Sequence, residues 1–167
     1  MAESKDKAFV DYVIHVARVT KVTKGGKTFS FSALLVSGDQ QGNVGLGFGK
    51  SREPSLAIAK ATRQARKNLI QIALRGTTIP YDIRGFHGAS RVVMRPAYKG
   101  TGVIAGGAVR KIMEAAGVKD ILAKSVGASN PKNVAKATLN AFAKLRSAST
   151  LARLRGKTVE EVVGNKQ

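Results

Sequence analysis

The 167-residue chain contains no cysteine, which excludes disulfides and thiolate zinc sites and fits a reducing compartment. Acids are scarce: 10 Asp plus Glu stand against 29 Lys plus Arg, a formal charge of +19. They are also scattered, with Asp39 and Asp82 in turn-like stretches and Glu160-Glu161 near the end. No carboxylate pair or nucleophile–base arrangement emerges, so an enzyme is not expected. His15 and His87, far apart in the chain and without thiolate company, make no metal motif. Aromatic content of 5% is poor for a protein that reads bases by stacking. No apolar run reaches the roughly 18 residues of a spanning helix. The start, Met1-Ala2-Glu3-Ser4, carries neither a lipidation signal nor the apolar core of an export signal, so membrane attachment and export are not expected. No cofactor, metal or small-molecule substrate is expected.

Hydrophobic residues make up 43% of the chain, enough for a core in one domain or two small ones. The cation excess exceeds what solubility requires and draws polyanions at long range. A nucleic-acid backbone is the first candidate partner; an anionic membrane surface would need an amphipathic anchor.

Residues 1–10 read as a mobile lead. Asp11 to Lys21 reads as a strand with apolar residues on both faces, hence covered on both sides. Thr28 to Val36 reads as a second strand, and the Gly25-Gly26 pair between them as a hairpin turn using positive φ. Arg18, Lys21, Lys24 and Lys27 crowd this projection with no acid among them. The choice lies between a solvated turn and a probe for an external anion. Val44 to Lys50 reads as a third strand with Gly45, Gly47 and Gly49 on one face, where another backbone or helix must come close. A helix is predicted from Glu53 to Leu74, with Ile58, Ala61, Ala65, Leu69 and Ile72 as its buried stripe. Lys60, Arg63 and Lys67 lie opposite, with Arg66 at the edge. No acid follows Glu53 there, which favours phosphate contact over an ordinary exposed face.

Gly76-Thr77-Thr78-Ile79-Pro80 marks a boundary between residues 11–76 and a second α/β unit, 77–148. Strands are predicted at Tyr81 to His87 and Ser90 to Pro96, with Arg84, His87 and Arg91 as possible phosphate contacts. A helix from Ile104 to Ala116 stops at Gly117, a short strand covers Ile121 to Val126, and Asn130-Pro131 open a helix to Leu145. Residues 149–167 read as a helical tail.

Two motifs invite stronger readings. Gly100-Thr101-Gly102-Val103-Ile104-Ala105-Gly106-Gly107-Ala108 enters a helix and could hold a phosphate on free amides. It lacks the Gly-Lys-Ser/Thr of a Walker loop. It resembles the glycine loop of small-molecule kinases of the galactokinase and mevalonate-kinase type, though without their serines; close packing is the simpler account. Gly45-Leu46-Gly47-Phe48-Gly49 is superficially similar to the aromatic strand of RNA-recognition motifs, but only Phe48 qualifies, and Phe29 and Phe31 read as core.

Several stretches together resemble the bacterial family of small-subunit ribosomal protein five, over about Arg18 to Gly164. They are Lys24-Gly25-Gly26-Lys27 with Phe29-Ser30-Phe31, Val44-Gly45 through Lys50, Gly100 to Ala108, Leu122-Ala123-Lys124 with Gly127, Asn130-Pro131, and Arg155-Gly156-Lys157-Thr158-Val159-Glu160-Glu161. The resemblance implies an α/β (α+β) chain of two small domains. The first is a double-stranded-RNA-binding-like β-β-β-α unit, and the second a β/α sandwich of a superfamily that also includes those kinases. It implies binding to 16S ribosomal RNA where head and body of the subunit meet, and contacts with small-subunit proteins four and eight. It also implies a place near protein three where messenger comes in, an influence on decoding accuracy, and a cytoplasmic location. Lys24, Gly25 and Gly26 are implied to lie near the spectinomycin site. The expected RNA-binding set is Arg18, Lys21, Lys24, Gly25, Gly26, Lys27, Lys50, Arg52, Lys60, Arg63, Arg66, Lys67, Arg84, His87 and Arg91. Ala17, Lys27 and Pro54-Ser55 depart from the family's usual residues; Lys for Arg keeps charge but loses a forked contact. The alternatives are a kinase using the glycine loop and a double-stranded-RNA binder that works outside the ribosome.

Overall fold

Extended segments whose side chains alternate between two faces build both sheets of this chain. A computed structural model describes residues 9–164; the lead at residues 1–8 and the last three residues of the tail lie outside them. The first sheet has the order β1-β2-β3-β4, with β1 Val10–Thr23, β2 Gly26–Gly38, β3 Asn43–Ser51 and β4 Leu69–Gln71. All its pairings are antiparallel. One helix, α1 (Pro54–Lys67), packs on one face. The second sheet has the order β5-β6-β8-β7, with β5 Ile83–His87, β6 Ser90–Pro96, β7 Val103–Ile104 and β8 Ile121–Gly127. Helices α2 (Gly107–Ala116) and α3 (Pro131–Lys144) cover its inner face, and α4 (Ala148–Arg155) and α5 (Val159–Val163) form the tail. Two sheets plus helices make the chain an α+β protein.

The glycines of β3 set the distance of α1. A Cβ on Gly45, Gly47 or Gly49 would strike the carbonyl oxygens of Ala65, Ala61 and Ala57 respectively. The register works because two strand residues advance about 6.8 Å and four helix residues about 6 Å. Ala33 and Leu35 complete this small core with the three alanines. On the other face of the sheet, Leu34, Val36 and Val44 join Val92, Met94, Ile112, Met113 and Ile121 in one core shared by both sheets.

The junction is also hydrogen-bonded. The β2–β3 turn is braced by the buried Asp39 carboxylate, which accepts from the Gln41 and Asn43 amides at 2.8 and 3.0 Å. That turn offers the amides of Gln40 and Gly42 to the carbonyls of Ala115 and Ala116 at 3.1 and 3.0 Å. These carbonyls end α2 and have no partner within the helix. Gly117 closes the helix in the left-handed conformation at φ 83°. Lys111 donates from α2 to the Val13 carbonyl at 2.6 Å, where the β1–β2 register shifts between Val13 and His15. The segment read as a boundary is built into this body: Ile79 is fully buried and the Thr77 carbonyl accepts from the Lys119 and Asp120 amides.

Several sequence expectations need correction. The first helix stops at Lys67, not Leu74. Asn68 caps it, and Leu69 to Gln71 turn back as β4 beside Asn43 to Gly45. Ile72 is buried as predicted, but in the shared core rather than on a helix, and Leu69 is exposed. The second helix starts at Gly107; Val103 and Ile104 pair in parallel with β8, so Ala105 precedes the helix. Of β1, Tyr12 and Ile14 pack into the shared core, whereas Val13 and Val16 face solvent.

Candidate nucleic-acid interface

Beyond Phe31, where β3 ends against β2, the first two strands run on alone. Five residue pairs from Val19↔Ser30 to Thr23↔Gly26 form a bare two-stranded arm, about 17 Å long at the usual strand rise. Its residues from Thr20 to Phe29 are all exposed. Directly opposed residues share a face, so Arg18 and Lys27 lie on the face that α1 covers further down, while Lys21 lies on the other with Lys50. The arm thus carries cations on both sides. Among the described residues none of Arg18, Lys21, Lys24, Lys27, Lys50 or Arg52 pairs with a carboxylate.

Two details of the arm differ from expectation. Only Gly26 has positive φ, at 127°; Gly25 does not, and a Cβ there would meet nothing within 4 Å. Phe29 is not core: it is 44% exposed, and the Arg18 guanidinium lies 3.8 Å from its ring centroid. Sequence reading missed that pairing, because a two-strand extension with no third strand to cover it is not visible in local alternation. Phe31 is partly buried against the α1 alanines, as expected.

Lys60, Arg63 and Lys67 are exposed on α1, the side away from the sheet. Arg66 is engaged within the chain: it pairs with Asp11 at 3.0 Å and lies 5.5 Å from the Phe9 ring centroid. The pair is half exposed, so it is worth at most about 1 kcal/mol and yields easily to a phosphate.

Arg84 and Arg91 stand on the outer face of the second sheet, together with Arg95 and Lys124. His87 does not join them. The period of two puts it on the inner face with Ile83 and Gly85, half buried.

The glycine loop is occupied from within. The Asp120 carboxylate is almost fully buried and accepts the amides of Gly100 and Gly102 at 2.9 and 3.0 Å. The Thr77 hydroxyl, then these loop amides, hold its carboxyl below the usual carboxylate range. Close packing is not what the glycines serve. Gly100 and Gly102 adopt φ of 96° and 78° with open space around them, and a Cβ on Gly107 would also meet nothing within 4 Å. Among the described residues no group of three His, Asp or Glu gathers as a metal site, and no helix is long and apolar enough to cross a membrane.

The family model described as ribosomal protein S5, N-terminal domain, matches residues 9–73, and that described as ribosomal protein S5, C-terminal domain, matches residues 85–155. The chain is 52% identical over 158 residues to the small ribosomal subunit protein uS5 of Lawsonia intracellularis, covering 95% of this chain and 97% of the relative. The chain belongs to the ribosomal protein S5 family. The small ribosomal subunit protein uS5 of Azotobacter vinelandii is 48% identical over 161 residues, covering 96% of this chain and 97% of that relative. That of Flavobacterium psychrophilum is 53% identical over 152 residues, covering 91% and 87%. The S5 N-terminal match spans the first sheet with α1, and the C-terminal match begins within β5 and ends with α4.

Proposed function

We propose that this chain is a structural constituent of the small ribosomal subunit in the cytoplasm, holding 16S ribosomal RNA in place without turnover. The observation that carries this is the bare arm with cations on both faces that, among the described residues, pair with no carboxylate. A flat basic patch contacts one phosphate strand; a narrow two-sided arm neutralises two at once and so lets them approach each other. The cations of α1 extend one of those faces. Phosphate contacts would fix position, and RNA shape would supply specificity. In this reading the arm lies at the meeting of head and body near the spectinomycin site. The chain touches proteins four and eight, lies near protein three where messenger comes in, and influences decoding accuracy. The names of the relatives and the S5 family membership support the subunit; the finer placements are inferred.

The kinase alternative loses its site: a buried carboxylate already takes the Gly100 and Gly102 amides, and its charge opposes a phosphate there. Salt titration of binding to small-subunit RNA tests the main reading. Replacing Lys21, Lys24 and Lys27 together by Ala is expected to reduce the slope of log affinity against log salt by about 3, roughly one per lost phosphate contact. An unchanged slope means the arm does not meet phosphate. Sedimentation separates the third alternative, since a protein working outside the ribosome stays in the free pool.

A further inference from the structure

The face of the first sheet that joins the shared core runs on past the second unit. Opposed residues share a face, so His15, Leu34 and Phe48 form the row where this cover ends. Beside that row the start of α3 bounds a depression of ≈ 170 Å³, with Asn130, Pro131 and Lys132 across from Phe48. A second depression, of ≈ 270 Å³, is bordered by the same Phe48 and Lys132 together with Gln64, Asn68 and Lys136. Phe48 is 40% exposed, and the Lys132 ammonium lies 4.2 Å from its ring centroid. From this row out to the arm, the same face carries the half-buried small side chains of Ala17, Ser30 and Ser32, then the exposed Lys50 and Lys21. Among the described residues of this strip, from Phe48 to the hairpin turn, there is no acid.

We propose that an unpaired stretch of RNA lies along this strip and that one of its bases, turned out of the stack, packs on the Phe48 ring. The small side chains let a ribose-phosphate strand come close to the sheet, and Lys21 and Lys50 meet its phosphates. The ring at the inner end is a platform that any base can use. The Lys132 ammonium holds that place in the free chain. Lys132 is long and exposed, so its cation can leave the π face for the incoming phosphate as the base arrives. Gln64 accepts the Phe48 amide on its side-chain oxygen at 2.9 Å, which leaves its amide nitrogen to donate to a base edge. One base is taken rather than a run, because Phe29 and Phe31 lie on the opposite face of β2. An RNA duplex is a poorer occupant: its bases stay stacked inside, and it gains nothing from the ring. A protein neighbour is poorer too, since Phe48 aside the strip offers little apolar area to bury. The inference rests on the reading that the chain holds small-subunit RNA, and it adds where a single unpaired nucleotide is received.

The test puts the photoreactive residue p-azidophenylalanine in place of Phe48, and in a second chain in place of Arg63 on α1, in purified small subunits. The expected result is an RNA adduct from position 48 that stops reverse transcription at one unpaired nucleotide, and an RNA adduct from position 63. A protein adduct from 48, stops spread along a paired helix, or no adduct while 63 reaches RNA would each overturn this inference and leave the RNA-holding reading standing. Absence of both chains from the subunit would sink that reading, and this inference with it. In a second measurement, salt titration of binding to small-subunit RNA compares Phe48→Leu and Phe48→Tyr with the parent. Phe48→Leu is expected to weaken binding about tenfold at every salt concentration with the slope unchanged, since stacking releases no counterions, whereas Phe48→Tyr retains the affinity. Parental affinity in Phe48→Leu, a loss that comes with a shallower slope, or an equal loss in Phe48→Tyr would each overturn base stacking at this ring.

Discussion

Gly47→Ala adds one methyl group where the structure has no room for it. The new Cβ would collide with the Ala61 carbonyl oxygen, and would stand 2.7 Å from the Ala61 carbonyl carbon and 2.8 Å from the Ala65 nitrogen. All three are backbone atoms of α1, so no side chain can swing aside and the helix must withdraw. Overpacking of this kind costs about 1–3 kcal/mol. Withdrawal also uncovers part of Leu35, now 1% exposed, whose full burial is worth about 1.5–3 kcal/mol. A total near 3 kcal/mol is expected, which for a chain of this length lowers the melting temperature by roughly 6–12 °C. Thermal unfolding of the purified chain, followed by circular dichroism at 222 nm, measures this. Gly25→Ala is the matched control: it meets nothing within 4 Å and needs no left-handed backbone, so its stability should stay within about 0.5 kcal/mol. If Gly47→Ala melts within about 2 °C of the parent, less than 1 kcal/mol has been lost, and glycine does not set the spacing of α1.

Three further outcomes are expected. Gly26→Val forces a β-branched residue to φ 127° and should destabilise the turn by about 1–2 kcal/mol or more, with weaker RNA binding and altered spectinomycin response. Asp120 is held below its ordinary value of 3.8, so the unfolded chain binds more protons than the folded chain between the two values. Its contribution is therefore full above pH 4 or so and is lost as pH falls through the folded value; acid titration of Asp120→Asn should show a shallower loss of stability there. Gly117→Ala places a Cβ 3.0 Å from the Gln40 Cα in a left-handed backbone at φ 83°; it should speed hydrogen exchange at the Gln40 and Gly42 amides, which amide-resolved exchange would reveal.

The three long strands of the first sheet and both long helices of the second unit were legible because alternation, Asn130-Pro131 and Gly117 are local signals. So was the glycine face of β3, since three glycines spaced two apart have few other uses in a strand. The end of α1 was not legible. Leu69 and Ile72 continue a helical spacing, and only tertiary pairing with Asn43 to Gly45 makes the segment a strand. Asp120 was missed as the anchor of the glycine loop for a similar reason: its partners at Gly100 and Gly102 lie about twenty positions upstream. His87 was grouped with Arg84 and Arg91 by proximity in sequence, whereas parity along β5 turns it to the opposite side. The exposure of Phe29 depends on where β3 stops, which no feature of β2 encodes.

The last turn of α2 ends on peptide groups of the other sheet, and that has a consequence for how the molecule comes into being. Neither half is a finished object: a ribosome that has synthesised residues 1–76 has made a sheet with one naked oily side, and residues 77–164 expressed alone would leave the Ala115 and Ala116 oxygens looking for water. The halves should therefore appear in one cooperative step rather than in sequence. Cutting the gene at the apparent seam is expected to yield two insoluble fragments that recover only when mixed.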